Sequence, residues 1–187
     1  MKRLLLAFIL LGLLPACMHT RVDETPPSIE TLKLMRAADI PPVALGPFTD
    51  AGGKRPLART VVIRGSTMKP PKGSNFAEFR KLSFESELKA AGKLDPAAGI
   101  VVTGRLTESR ASENLSKGGA ALAAEISVQR NGVPVFTRPY RIDTLWKSEF
   151  IGALAIPEAF RQYNTLYPLL VRQVFADPDF QKALKQP

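Results

Sequence analysis

Apolar residues occur along this chain in three patterns: one unbroken run, several stretches that alternate with polar residues, and two long stretches at helical spacing. The unbroken run is Leu4 to Leu14, uncharged and directly behind Lys2 and Arg3. It is well short of the roughly 20 apolar residues that a helix needs to cross a hydrocarbon core. Ile29 to Ala38 suits a short helix capped by Ser28, with Ile29, Leu32, Leu34 and Met35 as its apolar contacts. Val43 to Phe48 reads as a strand ended by Gly46-Pro47 and the turn-rich Thr49 to Lys54, and Leu57 to Arg64 as a second strand with imperfect alternation. Gly65 to Gly73 then reads as a loop.

Asn75 to Ala91 predicts a longer helix, capped by Ser74 or Asn75 and stopped by Gly92. Phe76, Phe79, Phe84, Leu88 and Ala91 form its apolar face. Ile100, Val102, Gly104 and Leu106 alternate with Val101, Thr103, Arg105 and Thr107, as in a strand with one buried face. Leu122, Ala124, Ile126 and Val128 repeat the pattern against Glu125, Ser127 and Gln129, up to Asn131-Gly132, a two-residue hairpin turn. The return strand from Val133 to about Leu145 puts Phe136, Tyr140 and Ile142 on one parity, and Pro134 and Pro139 argue for an edge position. Pro157 can open a last helix, with Phe160, Tyr163, Leu166, Tyr167, Leu170, Val174 and Phe175 on one face and a kink or break at Pro168. These elements predict an α+β fold: a mostly antiparallel sheet of about five strands covered by two longer helices, with parallel pairing open at the first crossover.

The N-terminal pattern of basic residues, apolar run and Pro15-Ala16-Cys17 is that of an export signal. Leu14-Pro15-Ala16-Cys17 resembles the bacterial lipobox. The resemblance implies cleavage before Cys17, a diacylglyceryl group on its thiol, an acyl chain such as palmitate on the new N-terminus, and hence a stable membrane anchor. The expected organisation is a signal peptide over 1–16, an acylated N-terminus and tether over 17–28, and one periplasmic α+β domain over 29–187. Cys17 is the only cysteine, so no internal disulfide forms. An ordinary signal peptide with an incidental cysteine, or a buried structural thiol, is the alternative. Met18 stands where inner-membrane retention typically uses aspartate, which favours the periplasmic face of the outer membrane over the inner membrane.

Loss of Lys2 and Arg3 would take the formal charge from +9 to +7. An exported basic chain meets anionic lipid, lipopolysaccharide and peptidoglycan, and nucleic acid is not expected as a partner. No catalytic or metal-binding set is legible, and no cofactor is expected. The one histidine, His19, falls in the expected tether, away from any nucleophile. Glu78, Glu85 and Glu87 belong to the polar side of a lysine-bearing helix, and Asp143 and Glu149 have no evident carboxylate partner. Ser66 and Lys69 have S-x-x-K spacing without the companion motifs of that chemistry. Arg105, Arg130, Arg138 and Arg141 fall on the later strands and could form a basic face for an anionic ligand, although a solvated sheet face has the same composition.

Pro42-Val43-Ala44-Leu45-Gly46-Pro47-Phe48, the helix end Glu87-Leu88-Lys89-Ala90-Ala91-Gly92-Lys93-Leu94 and the strand Val101-Val102-Thr103-Gly104-Arg105-Leu106 together resemble the YajG-like and ABC-transport auxiliary lipoproteins, whose domain is akin to the N-terminal domain of TolB. The resemblance implies a non-enzymatic accessory in lipid transport or outer-membrane assembly, and it brings no catalytic residues. The functions expected are therefore binding or assembly through an edge strand, then binding of anionic lipid or lipopolysaccharide, and last an envelope hydrolase of unfamiliar type.

Overall fold

The computed structural model describes residues 19–21, 26–51, 61–70 and 75–185. The signal region, Cys17, Ser74 and the first portion of the expected second strand lie outside them. The elements in chain order are β1 (His19–Arg21), α1 (Ile29–Ala37), β2 (Ala44–Asp50), β3 (Val61–Ile63), β4 (Ser66–Lys69), α2 (Phe76–Ala90), β5 (Ile100–Glu113), β6 (Lys117–Arg130), β7 (Val133–Lys147), α3 (Gly152–Ala176) and α4 (Pro178–Lys185). The fold is α+β. A four-stranded sheet runs β2-β5-β6-β7, with β2 parallel to β5 and the other pairs antiparallel. A small sheet runs β1-β4-β3.

α1 and α2 begin where side chains replace missing backbone partners. The Ser28 hydroxyl accepts from the Thr31 N–H, and Asn75 with Glu78 forms a reciprocal capping box on α2. α3 differs from expectation: it begins at Gly152, five residues ahead of Pro157, and runs unbroken through Pro168. Its start is apolar and has no side-chain cap, so nothing polar marks it; the Leu154 and Ala155 N–H groups bond to the Ile151 carbonyl instead. Pro178 is the first residue of α4, where its missing N–H costs nothing.

Two further corrections concern strands. Ser66–Lys69, expected as loop, returns as β4 because Arg64 and Gly65 both take positive φ, 48° and 77°, and make a two-residue turn. His19–Arg21, expected as tether, pairs in parallel with Thr67–Lys69. β2 also continues past Gly46-Pro47 to Asp50, with a register shift between Leu45 and Phe48 that leaves Pro47 exposed. The Asn131-Gly132 turn forms as expected, with φ of 49° and 79°, and β7 is an edge strand.

One core lies between the large sheet and its helices. Val102 and Leu106 of β5, Leu122, Ala124, Ile126 and Val128 of β6 and Tyr140 of β7 face α2 and α3 and are buried with Phe79, Phe84, Tyr163, Tyr167 and Phe175. Thr107 is an extra residue in β5: before it even positions face inward, and after it Ser109 pairs with Leu122 and odd positions do. At the far end of β6, a Cβ on Gly118 would stand 2.1 Å from the Trp146 ring, so the indole lies on bare backbone.

Gly118→Ala should therefore displace the ring and cost about 1–3 kcal/mol, as overpacking does. Trp146 is the only tryptophan. A shift in intrinsic fluorescence together with a lower denaturation midpoint checks this, and an unchanged spectrum would refute the packing described.

Candidate functional site

The alternation that fills the core sends the other side chains of β5, β6 and β7 to a face over which no described helix lies. There Arg105 donates to Glu125 at 3.3 Å, Arg110 to Glu108 at 2.5 Å, and Arg141 to Glu108 at 3.0 Å and also to Asp143. Arg110, Ala121 and Asp143 stand in one cross-strand row, and Glu108, Ala123 and Arg141 in the next. The two alanines are buried beneath these longer side chains. The Arg110 hydrogen bond, joined by Arg141, holds Glu108 below the usual carboxylate range. Each guanidinium is thus already matched to a carboxylate, and exposed pairs of this kind contribute little stability, about 0–1 kcal/mol.

Of the four arginines expected to form a basic face, only Arg105 and Arg141 share this one. Arg138 has the parity of Tyr140 and points to the helical side, where it donates to Asp177 at 2.6 Å and to Asp179 at 2.7 Å. Tyr140 donates to the same Asp177 oxygen at 2.6 Å. Burial would raise the Asp177 carboxyl, but the Tyr140 hydroxyl, the Asp179 N–H and Arg138 hold it below its ordinary value. This cluster fastens the α3–α4 joint to β7. Arg130 donates to the Ala183 and Leu184 carbonyls at the C-terminal end of α4.

Arg130 also borders an open hollow of about 550 Å³, together with Lys93, Lys185, Asp39 and the Pro41-Pro42 segment. Three cations against one carboxylate could receive a small anionic group. Another open feature is the outer edge of β7, with which no described strand pairs. Pro134 and Pro139 have no N–H to offer there, so the stretch that can accept another strand is Tyr140 to Lys147.

The carboxylates singled out from sequence do not converge. Glu78 belongs to the capping box, Glu85 pairs with Lys89 at 3.0 Å, and Asp143 pairs with Arg141. Glu87 is the exception to its expected solvated position: it is 2% exposed and accepts the Ser28 N–H at 2.9 Å. Burial raises its carboxyl above the ordinary value, and its Oε2 has no hydrogen-bond partner among the described residues. Arg80, not singled out from sequence, is fully buried beside Tyr163 and Tyr167; burial pushes its pKa down to about 10, and none of its three guanidinium nitrogens has a partner among the described residues. The signal was present, since Arg80, Ser83 and Glu87 fall in phase with Phe76, Phe84 and Leu88 on the apolar stripe. Near them, Ser109, Tyr163 and Tyr167 form a hydroxyl chain with spacings of 2.7 and 2.9 Å, tying β5 to α3. Among the described residues, no group of three or more histidines, cysteines and carboxylates gathers to hold a metal. No described helix is long and apolar enough to cross a membrane.

No known protein-family model matches the chain, and no curated protein does. Among solved structures, the chain is similar to a Xanthomonas campestris protein of family DUF330, at 11% identity and a TM-score of 0.54, over 86% of this chain and 95% of that one. That likeness establishes the fold. Weaker likenesses are to a minor lipoprotein from Acinetobacter baumannii (12% identity, TM-score 0.41, 74% and 94% of the two chains) and to rare lipoprotein B from Shewanella oneidensis (11%, 0.41, 70% and 89%). At those scores they add nothing to the fold.

The position of Glu87 has a pH signature. A carboxyl raised on folding is penalised once it ionises, so the penalty is absent below its unfolded pKa and grows as pH rises through its folded one. Glu87→Gln, which keeps an acceptor for the Ser28 N–H, should stabilise the protein at neutral pH, with the gain disappearing in acid. Urea denaturation of both proteins at neutral and acidic pH checks this; equal stability at neutral pH would refute the burial penalty.

Proposed function

We propose that this chain is a lipoprotein of the bacterial envelope, held to a membrane through Cys17, whose domain docks another envelope protein rather than catalysing a reaction. The observation that carries the docking role is the edge of β7 from Tyr140 to Lys147, a proline-free stretch with which no described strand pairs, in a domain where Glu78, Glu85 and Asp143 are engaged in structure. Such an edge recognises an extended segment by main-chain hydrogen bonds, with the exposed side chains of Arg141, Asp143 and Leu145 adding selectivity. The lipobox-like Leu14-Pro15-Ala16-Cys17 supports the anchor. Met18 supports the outer membrane as its place, and the lipid-transport or assembly setting comes from the sequence resemblance alone.

Two measurements test this. Mass spectrometry of the N-terminal peptide from fractionated membranes should find Cys17 acylated in the outer-membrane fraction; an unmodified N-terminus in the soluble fraction would refute the anchor. A photo-crosslinking residue at Asp143 should give a discrete protein adduct in intact cells that the same residue at exposed Arg172 on α3 does not. Identical patterns from the two positions would refute docking at the edge.

A second reading, binding of an anionic headgroup, is favoured by the hollow beside Arg130. Lys93→Gln combined with Lys185→Gln should weaken calorimetric binding of short-chain phosphatidylglycerol, and unchanged affinity would dismiss it.

A further inference from the structure

The end of the domain that holds the β5–β6 turn exposes an unusual amount of apolar surface. Leu115 is 63% exposed, Leu145 84%, Phe150 75%, Ile151 60% and Leu154 58%. They come from three places: the turn, the end of β7 and the start of α3. These side chains project from a braced frame. Asn114 accepts the Ser116 and Lys117 N–H groups, Ser148 donates its N–H to the Ser116 carbonyl at 3.1 Å, and Arg64 reaches the Asn114, Phe150 and Glu149 carbonyls. Exposed apolar side chains of this size gathered at one end of a domain mark a contact surface.

The strand directions identify what it contacts. Arg64 lies in the β3–β4 turn, so that turn belongs to the same end of the molecule. β4 runs away from it, and β1 runs parallel to β4 with His19 opposite Thr67, so the chain enters the domain from this end. Two residues of chain span at most about 7 Å, which keeps Cys17 close to His19. Charge agrees with this. Lys117 and Lys147 are exposed and directly opposite each other at the rim of the patch, an arrangement that is unfavourable in water and relieved by anionic headgroups.

We infer that this apolar end seats in the surface of the membrane to which Cys17 is attached. Leu115, Leu145, Phe150, Ile151 and Leu154 enter the interface between headgroups and acyl chains, Lys117 and Lys147 meet lipid phosphates, and the β7 edge stands at a fixed attitude to the bilayer. The inference rests on the lipoprotein reading for the position of the anchor, and on the exposed residues for the contact itself.

Full-length protein purified from membranes and reconstituted in vesicles of phosphatidylethanolamine and phosphatidylglycerol tests it. Phe150→Cys carries an environment-sensitive fluorophore, and Val133→Cys, also apolar and 61% exposed but at the opposite end, is the control. Doxyl-labelled lipid should quench position 150 several-fold more than position 133; equal quenching would overturn the proposal. Leu115→Asp with Leu145→Asp should bring quenching at 150 down to the control level while Cys17 remains acylated, and undiminished quenching would also overturn it. The mass of the N-terminal peptide separates the two readings. If Cys17 proves unmodified, the anchor fails alone when added protein is still quenched at position 150, and both fail when it is not.

Discussion

The structure depends on the burial of α3 against one face of the β5-β6-β7 meander. Phe160, Tyr163, Leu166, Tyr167, Leu170, Val171, Val174 and Phe175 all turn inward from that one helix. Since an aromatic side chain buries roughly 150–250 Å², this helix brings a large apolar area into the core. It also divides each long strand into two codes. Residues facing α3 must be apolar and tightly fitted, and those facing away need only be soluble and compatible across the sheet. The second code is met by alanine under charge: Ala121 and Ala123 leave room for the Arg110, Glu108, Arg141 and Asp143 side chains to lie across them. Arg110 and Arg141, which look free in sequence, are in this way occupied with covering the sheet.

The same division explains which regions of the fold were legible in the sequence. Alternation over Leu122 to Val128, the Asn131-Gly132 turn, the two prolines of β7 and the caps Ser28 and Asn75 each follow from local chemistry that acts over a few residues. The elements that were missed are held by distant partners. β1 and β4 are three and four residues long and exist because they pair with each other and β4 pairs also with β3. The start of α3 has no polar signal, since its first turn is capped by backbone alone.

The site was less legible than the fold, for a related reason. Parity already separates Arg138 from Arg141, because Arg138 shares its face with Phe136 and Tyr140. Only the position of Asp177, at the joint between two helices, decides that Arg138 joins the edge of the core. Arg80 and Glu87 sit in phase with phenylalanines on α2, and charge obscured that spacing. Glu87 then joins the residue before α1 to α2, an interaction between residues 59 positions apart that no local pattern encodes.

β1 has a mechanical consequence. It is parallel to β4, and its first residue lies at the end from which the chain arrives, so tension on the chain entering at His19 acts along the strand axis. All three register pairs, His19 with Thr67, Thr20 with Met68 and Arg21 with Lys69, then carry load together in shear. Strands loaded across their axis instead unzip, each pair breaking in turn. Tension between that entry point and the large sheet is thus carried through the stronger of the two geometries.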